Sequence, residues 1–221
     1  MVMEFDAQKL KKEQIKLNES IIVKDDFEKC ELLGGCDFIV LDKKIGCAIV
    51  IYDPKEQKII ETQIVVIDEN MSYQPSFLFY RFGPAAVEAY HKLQTRPDVL
   101  FVAGNGILHP RKIGLASHLG LVLDIPTIGV SHKLFFGEVK EDGFVYYNLL
   151  KLGAAIKTRE FSNPVIVSQG HKISLRTAIN LVKENCISPH KLPEPLHIAH
   201  RFASKLKKGD KKDASEEDEQ E

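Results

Sequence analysis

Residues 36–67 read CDFIVLDKKIGCAIVIYDPKEQKIIETQIVVI, which is three runs rich in Val and Ile separated by the short breaks DKK and DPKEQ. β-branched residues favour strands, because their side chains pack well on a pleated surface. Asp and Pro in the breaks favour tight turns. The stretch therefore predicts a three-stranded antiparallel meander.

Helix and strand signals alternate on either side of this meander. A surface helix is expected over residues 4–18 and a short strand at Ile21–Val23. Because proline suits the first turn of a helix, we expect one at Pro84–Leu93, followed by a buried strand at Asp98–Ala103. The other predicted elements are a helix at Lys112–Leu123, a strand in IPTIGVS, strands near Ala154–Lys157 and Val165–Val167, and helices at Leu175–Glu184 and near Leu196–Lys207. This order predicts an α/β fold with a ribonuclease H-like mixed sheet, an antiparallel meander and flanking helices.

Composition restricts the class of protein. The formal net charge is −1, so no overall basic excess indicates nucleic acid binding, and any such site must be local. The four cysteines form no CxxC pair, and Cys36 and Cys47 lie in apolar strand-like runs, which indicates buried thiols in a reducing compartment. No apolar run is long enough for a signal sequence or a membrane span. We therefore expect a cytoplasmic protein without membrane contact.

Several motifs carry a family resemblance. They are GGCDFIV, SYQPSFLFYRFGPA, GNGILHPRKIGLASHLG, PTIGVS, SQGHKIS and PEPLHIAHRFASKLKKG, in this order along the chain. Their sequence and spacing resemble the endonuclease V family over about residues 8–208. The resemblance implies a ribonuclease H-like fold and Mg²⁺-dependent hydrolysis of a phosphodiester near inosine in DNA or RNA.

The resemblance assigns catalytic roles to four positions, and two of them have lost the required side chain. Asp37 matches the first catalytic aspartate of the family, and His171 matches its late histidine. Phe82 stands where the family has glutamate, and Ala103 stands where it has the aspartate of an Asp-Gly-Gln-Gly motif. Mg²⁺ prefers several oxygen ligands. We therefore expect no cofactor, with Mg²⁺ bound only if activity is retained and with Asp37 as its one remaining ligand.

The positions that the resemblance links to nucleic acid are better kept. In the family, a Tyr-x-Pro segment forms a wedge that separates bases beside the lesion, and Tyr73 and Pro75 are kept here, although Ser76 replaces the usual glycine. The loop that follows the predicted strand at Asp98–Ala103, here called the pocket loop, contains Gly104 and Gly106. Glycines there allow backbone N–H groups to approach a base or a phosphate. The candidate nucleic-acid-binding residues are Tyr73, Pro75, Arg81, Gly104, Asn105, Gly106, His109, Arg111 and His132, the last in place of a family lysine. They predict DNA or RNA, with inosine in the strand, as the partner.

These residues also have purely structural interpretations. A lone carboxylate such as Asp37 is commonly solvated or bonded to backbone, and a histidine such as His171 can fix a loop through a backbone hydrogen bond. His109, His118 and His132 are of a type that suits Zn²⁺ or Ni²⁺, but they show no i, i+4 pair and no ligand motif. Scattered structural histidines are therefore favoured over a transition-metal site.

Three functions are compatible with this sequence. They are a nucleic-acid-binding homologue without metal-dependent cleavage, an active Mg²⁺-dependent endonuclease that acts at inosine in DNA or RNA, and a scaffold for protein interactions. Retained motifs combined with two lost acids favour the first. We expect one domain at residues 1–208 and a disordered charged tail at 209–221, whose only apolar residue is one alanine. That tail is a candidate site for an unknown protein partner.

Overall fold

The computed structural model describes residues 6–217, with side chains as far as residue 207. Its helices are α1 (Ala7–Asn18), α2 (Leu78–Lys92), α3 (Leu115–Leu123), α4 (Leu175–Glu184) and α5 (Glu194–Glu217), and a 3-10 turn covers Pro75–Phe77. Its strands are β1 (Leu33–Leu41), β2 (Lys44–Asp53), β3 (Lys58–Asp68), β4 (Val99–Ala103), β5 (Thr127–Ser131), β6 (Glu138–Val139), β7 (Phe144–Tyr147), β8 (Leu150–Ile156) and β9 (Val165–His171).

These nine strands form one mixed sheet in the order β3-β2-β1-β4-β5-β9-β8-β7-β6. The first three strands pair antiparallel, which confirms the predicted meander. β1, β4 and β5 are parallel, and every pairing beyond β5 in the described sheet is antiparallel. Because parallel strands end at a common edge, the loops that follow β4 and β5 meet there, as do functional loops in many α/β proteins.

Helices cover both faces of the sheet. On the first, here called the α2 face, α2 and α3 pack on a buried cluster that includes Cys36, Ile49, Leu100, Val102 and Leu119. On the second, here called the α5 face, α4 and α5 pack on a cluster that includes Val99, Phe101, Ile128, Val167 and Leu196. A Cβ atom at Gly35 would lie 2.0 Å from the carbonyl oxygen of Pro195. Glycine at this position therefore allows the start of α5 to pack directly on β1.

Helix α2 begins earlier than the sequence predicted. Pro84 was expected in the first turn, but the helix starts at Leu78 and Pro84 lies inside it. A proline in a helix interior removes the N–H that would bond to the carbonyl four residues earlier. Here that carbonyl belongs to Tyr80, and it accepts a hydrogen bond of 3.2 Å from the side chain of Asn70 instead. A side chain from outside the helix thus replaces the missing donor.

Two local predictions were wrong or incomplete. The predicted strand at Ile21–Val23 is a loop, in which Ile21 packs against a small apolar cluster containing Ile107 and Leu108. The hairpin formed by β6 and β7 was not predicted, although the turn residues Glu141, Asp142 and Gly143 precede β7 in the sequence. Both errors concern short elements, in which a few residues carry little periodic signal.

The C-terminal end of the chain leaves one prediction untested. Helix α5 has its last residue at Glu217, and side chains are not described beyond residue 207. The predicted disordered tail at 209–221 therefore lies outside the described side chains, and its last four residues lie outside the described chain. Within the described residues, the helices are all too short or too polar to cross a bilayer.

Candidate functional site

The candidate site lies where the parallel strands end. Cys36 of β1 pairs with Val102 of β4, which places the next residues, Asp37 and Ala103, side by side. Ala103 in turn pairs with Val130 of β5, so the end of β5 at Ser131 lies close by. We call this region, formed by Asp37, Ala103 and Ser131, the site edge. Ala103 ends the central strand, as the sequence predicted.

Asp37 is a buried carboxylate with both oxygens engaged. Its side chain is packed under α5, and the whole residue is only 8% exposed. Oδ1 accepts a hydrogen bond of 2.7 Å from the backbone N–H of Phe38, and Oδ2 lies 2.6 Å from Nδ1 of His200. Burial raises the pKa of Asp37, and these two hydrogen bonds together with the nearby charge of His132 oppose that rise. The dominant effect is the removal of the carboxylate from water.

His200 is the functional candidate that the sequence reading missed. It lies on α5 and points to Asp37, because the start of the helix packs closely on β1. The segment PEPLHIAHRF was recognised as part of the family pattern, but no residue in it was selected. The available signal was the pair His197 and His200, three residues apart on one predicted helix, since such spacing places both on neighbouring surface positions.

Phe82 packs where the resemblance would place the second acid. Its ring centroid lies 5.2 Å from that of Phe38, and the ring joins the cluster on the α2 face. Phe82 is therefore packed rather than solvated. Consecutive residues of a strand face opposite sides of the sheet, so Phe38 and Asp37 diverge. The Phe82 ring is therefore on the other side of β1 from the Asp37 carboxylate.

Arg81 is not available for nucleic acid in this structure, contrary to the sequence prediction. It is 7% exposed, and its Nη2 atom lies 2.7 Å from Oε1 of Glu69. Its guanidinium lies over the rings of Tyr73 and Phe82, at 5.7 and 5.2 Å from their centroids. The cause is its position on the inner face of α2. Arg81 holds the wedge segment in place instead of presenting a charge at the surface.

The wedge segment is tied to α1 and to the pocket loop through one carbonyl group. The carbonyl oxygen of Ser76 accepts hydrogen bonds from Gln14 Nε2 at 3.1 Å and from Arg111 Nη2 at 2.9 Å, and it lies 3.2 Å from His109 Nε2. Arg111 Nε also donates to Gln14 Oε1 at 2.6 Å. Tyr73, the predicted wedge, remains 59% exposed above this network.

His109 and Arg111, both candidates for nucleic acid binding, therefore direct their polar groups to the interior. His109 is 3% exposed, and its pKa is lowered to about 4 by burial, with a smaller contribution from the charge of Arg111. It is neutral at pH 7. Arg111 is partly buried, with its guanidinium 4.8 Å from the centroid of Phe77. Both residues hold the wedge against the pocket loop, and their polar groups are bonded internally.

The pocket loop fits closely against β9 because Gly106 has no side chain. A Cβ at Gly106 would lie 1.8 Å from the carbonyl oxygen of Gln169, and the Gly106 N–H donates to Ser168 Oγ at 2.8 Å. Gly104 is less restricted, with a Cβ position 3.2 Å from Leu115. Asn105 accepts a hydrogen bond of 3.1 Å from Ser131 Oγ at the site edge. A small cavity between the wedge and this loop is lined by Pro75, Ser76, Phe79, Asn105, His109 and Leu115.

His171 is not brought to Asp37. It pairs with Thr127 at the start of β5, whereas the site edge is at the end of that strand. Its ring is buried, Nδ1 accepts the N–H of Ile22 at 3.3 Å, and Nε2 lies 3.8 Å from Asp124 Oδ1. These contacts match the structural interpretation, in which the histidine fixes neighbouring loops. Its predicted catalytic role has no support from its position.

His118 and His132 lie in different surroundings. His118 stacks on Phe79 with ring centroids 3.7 Å apart, and burial lowers its pKa to about 4. His132 is the exposed residue that follows β5, and its pKa is lowered by partial burial and by the charges of Lys191 and His200. Asp37 opposes this shift, so His132 lies within electrostatic range of the site edge.

The donor set at the site edge does not fit Mg²⁺. That ion requires near-octahedral oxygen ligands and is usually held by more than one carboxylate or by substrate phosphates as well. Here one carboxylate is present, its oxygens are engaged, and its neighbour across the register is Ala103. Over residues 6–207, moreover, His, Cys, Asp and Glu side chains nowhere gather in threes as a metal ion would require. The transition-metal site considered for His109, His118 and His132 is likewise not formed.

Comparisons with known proteins identify the family of the chain. A sequence model described as Endonuclease V matches residues 15–201. Endonuclease V of Dictyoglomus turgidum is 36% identical over 200 residues, which cover 87% of each chain. Endonuclease V of Protochlamydia amoebophila is 37% identical over 207 residues, which cover 88% of each chain.

Solved structures give the same result. Endonuclease V from Streptomyces avermitilis has a TM-score of 0.84 at 24% identity, covering 94% of this chain and 96% of that chain. Endonuclease V from Ciona intestinalis, in complex with a 24mer DNA containing an inosine followed by a ribo-adenosine, has a TM-score of 0.80 at 26% identity, covering 92% of this chain and 99% of that chain. The ribonuclease H-like fold is thereby confirmed. The chain belongs to the endonuclease V family.

Proposed function

We propose that this chain is a nucleic-acid-binding member of its family that does not cleave a phosphodiester with Mg²⁺. The observation that carries the proposal is the site edge. Of the three positions that hold acids in the family pattern, only Asp37 has one, and its carboxylate is bonded to Phe38 and His200. Ala103 offers no ligand, and Phe82 packs on Phe38 across the strand. A metal-activated water would lack both its charge partner and its positioning.

The binding half of the proposal rests on the wedge and the pocket loop. Tyr73 is exposed, and two residues further on Pro75 lines, together with Asn105, a cavity of about 10 Å³ between the wedge and the pocket loop. An exposed aromatic next to such a loop suits a protein that turns a base out of a strand, and the wedge would have to move away from the loop to admit that base. The Ciona intestinalis relative was solved with DNA containing inosine. We take a strand containing inosine, DNA or RNA, as the ligand of this chain.

The state of the cysteines supports a cellular compartment for this protein. All four cysteines are free, and Sγ of Cys36 and Sγ of Cys47 lie 3.7 Å apart without a bond. This supports a reducing compartment such as the cytoplasm. The proposal has two further parts. Residues 1–208 form one folded unit, and the charged tail at 209–221 binds another protein. Neither part rests on a contact in the structure.

One titration tests the proposal against the two alternatives. The full-length protein is titrated with inosine-containing and matched adenosine-containing single strands, in DNA and RNA, with Mg²⁺ or Mn²⁺ present. We expect tighter binding of the inosine strands, weakened by salt as phosphate contacts require, and no shortened product. Metal-dependent cleavage that Asp37→Ala abolishes would establish an active nuclease. Failure to bind any strand would instead point to a scaffold for proteins.

A further inference from the structure

The loop between β8 and β9 lies at the same end of the sheet as the site edge. Ile156, the last residue of β8, pairs with Val165, the first residue of β9, and Ile166 pairs with Ser131. Residues 157–164 therefore project from the sheet beside the end of β5. A strand of nucleic acid that crosses the site edge in the direction of β9 would meet this loop.

Phe161 is the exposed tip of that loop. Phe161 is 93% exposed, and its φ angle is +55°. A bulky residue in the left-handed region is strained, and glycine or asparagine is usual there. The ring of Phe161 is therefore exposed to solvent, and its backbone has a conformation that favours glycine. Local folding gives no reason for phenylalanine here, and strained residues of this kind are concentrated at functional sites.

The loop is held in place by the segment that leads into α5. Thr158 Oγ1 donates to the carbonyl of Lys191 at 2.6 Å, and Arg159 Nη1 donates to the carbonyl of Pro189 at 3.4 Å. Ser162 Oγ closes the turn by donating to the carbonyl of Arg159 at 2.9 Å. The ring of Phe161 is thus carried on an anchored turn, which is what a contact surface requires.

Cations connect this turn to the site edge. Lys157 and Arg159 precede Phe161 in the loop and are exposed, and Glu160, between Arg159 and Phe161, is the one acid of residues 157–164. Lys191, bonded to the loop through its carbonyl, is close enough to His132 for its charge to lower the pKa of that histidine. His132 in turn lies in the electrostatic range of Asp37, so Lys191 is near the site edge. A phosphate backbone that passes the site edge would therefore continue along Lys191, Arg159 and Lys157 to Phe161.

We propose that Phe161 is a stacking platform for an unpaired base in the single strand that crosses the site edge. Proteins that bind single strands combine cations that follow the backbone with aromatic rings on which bases stack, and this combination is present here. The platform would lie a few nucleotides from the flipped base and be indifferent to base identity. The inference rests on the proposed function, because it requires a strand at the site edge.

A matched control exists elsewhere in the fold. Leu149 is 97% exposed with a φ angle of +66°, so it has the same exposure and the same backbone strain as Phe161. It lies in the turn between β7 and β8, and this turn is at the opposite end of the sheet from the loop between β8 and β9. If removal of any exposed, strained apolar side chain weakens binding, both Phe161→Ala and Leu149→Ala will bind more weakly. If a base stacks at the site edge, only Phe161→Ala will bind more weakly.

The test uses the full chain and single-stranded oligonucleotides that carry one inosine, with 2-aminopurine placed at successive positions on either side of it. For the wild type we expect fluorescence quenching at one position away from the inosine. Phe161→Ala should weaken binding roughly tenfold and abolish that quenching. Phe161→Trp should retain both. Phe161→Gly relieves the φ strain, so it should melt no lower than the wild type while binding as weakly as Phe161→Ala.

The outcomes separate this inference from the proposed function. Inosine-dependent binding that is unchanged in Phe161→Ala overturns the platform and leaves the proposed function standing. Binding that requires Phe161 but ignores inosine supports the platform and overturns recognition of the base. Equal weakening by Leu149→Ala overturns the assignment of the platform to this loop. If no strand binds, both proposals fail and Phe161 is a contact for another macromolecule.

Discussion

Nδ1 of His200 lies 2.6 Å from Oδ2 of Asp37, which joins α5 to β1 at the site edge. The second carboxylate oxygen accepts the N–H of Phe38, so the last acid of the family pattern is part of an internal hydrogen-bond network. A metal ion at this point would have to share the carboxylate with an imidazole. We therefore expect the ionisation of Asp37 to change the free energy of unfolding.

Replacement of Asp37 by Asn should increase stability at neutral pH. Burial raises the pKa of Asp37 above 3.8, so the folded protein keeps a proton on this group where the unfolded chain has lost it. Stability from the group is fully present below pH 3.8 and is lost as the pH rises through the folded pKa. Asn cannot ionise. The free energy of unfolding, measured in urea from pH 3 to 8, should therefore rise above that of the wild type only on the alkaline side.

The groups that face Asp37 decide whether this expectation holds. His200 and His132 both favour its ionised form, and removal of either should enlarge the effect of burial. Glu19→Gln, on the surface after α1, is the matched control. If Asp37→Asn is less stable than the wild type at pH 7, the ion pair with His200 outweighs burial and the present assignment of causes is wrong.

Two buried histidines should make the protein sensitive to acid. The pKa of His109 and that of His118 are each lowered from 6.5 to about 4, chiefly by burial. The unfolded chain binds protons between these values while the folded protein does not, so stability falls as the pH drops from 6.5 to about 4. Each group accounts for about 3 kcal/mol of that loss, by the usual conversion of a pKa difference. His118→Gln should flatten the dependence of the melting temperature on pH over this range, and His91→Gln, at an exposed position on α2, is the control.

Loss of the pair between Arg81 and Glu69 should destabilise the wedge region. Arg81→Met leaves Glu69 with a partly buried and unpaired charge, at a cost of about 3 kcal/mol. The exposed pair of Lys92 and Glu88 is the control, and Lys92→Met should cost less than about 0.5 kcal/mol. Chemical unfolding measures both. If Arg81→Met binds nucleic acid less well without loss of stability, Arg81 contacts the strand directly, as the sequence first suggested.

Gln14 should govern how firmly the wedge is held. Its side chain joins the Ser76 carbonyl to Arg111, and Gln14→Ala removes one donor and one acceptor from this buried network. We expect a loss of about 1–3 kcal/mol in stability and a reduced preference for inosine over adenosine strands, because the wedge is no longer fixed. Gln8→Ala, exposed on the same helix, is the control. Equal inosine preference in both variants would mean that the hydrogen bonds of Gln14 do not position the wedge.

The elements with strong periodic signals were predictable from the sequence. The meander, the strand that ends at Ala103 and the helix at Leu175–Glu184 were found because apolar residues recur regularly in them. The start of α2 was missed because Pro84 reads as a helix start, and the donor that allows it inside the helix, Asn70, lies outside the helix. Local pattern carries no information on such partners.

The site was harder to predict because contact and burial decide its chemistry. His109, Arg81 and Arg111 look like surface cations in the sequence, and only the packing of α1 and α2 shows that their polar groups are bonded internally. Conversely, His200 looked like one more residue of a closing helix. Its role depends on the close approach of α5 to Gly35, which brings a residue 163 positions away to Asp37.

Restoring the two lost acids should restore metal binding before it restores cleavage. Ala103→Asp places a carboxylate beside Asp37 on the α5 face, and Phe82→Glu adds a third from α2 across the strand. Without metal, the double variant should be less stable than the wild type, since Phe38 loses its aromatic partner and a second carboxylate is placed beside Asp37. Mg²⁺ at a hundredfold excess over its Kd should return about 2.7 kcal/mol, seen as a rise in melting temperature.

The single variants make this result specific. Ala103→Asp alone supplies two carboxylates and Phe82→Glu alone places its carboxylate across β1 from Asp37, so neither should gain as much from Mg²⁺ as the double variant. Addition of His132→Lys would then supply the positive charge that the family pattern has near the phosphate, and cleavage should be assayed only in that triple variant. A double variant that remains folded, by circular dichroism, yet shows no rise with Mg²⁺ would mean that positions 37, 82 and 103 do not converge. In that case Phe82 lies too far across β1, and the loss of cleavage in this chain has a deeper cause than two substitutions.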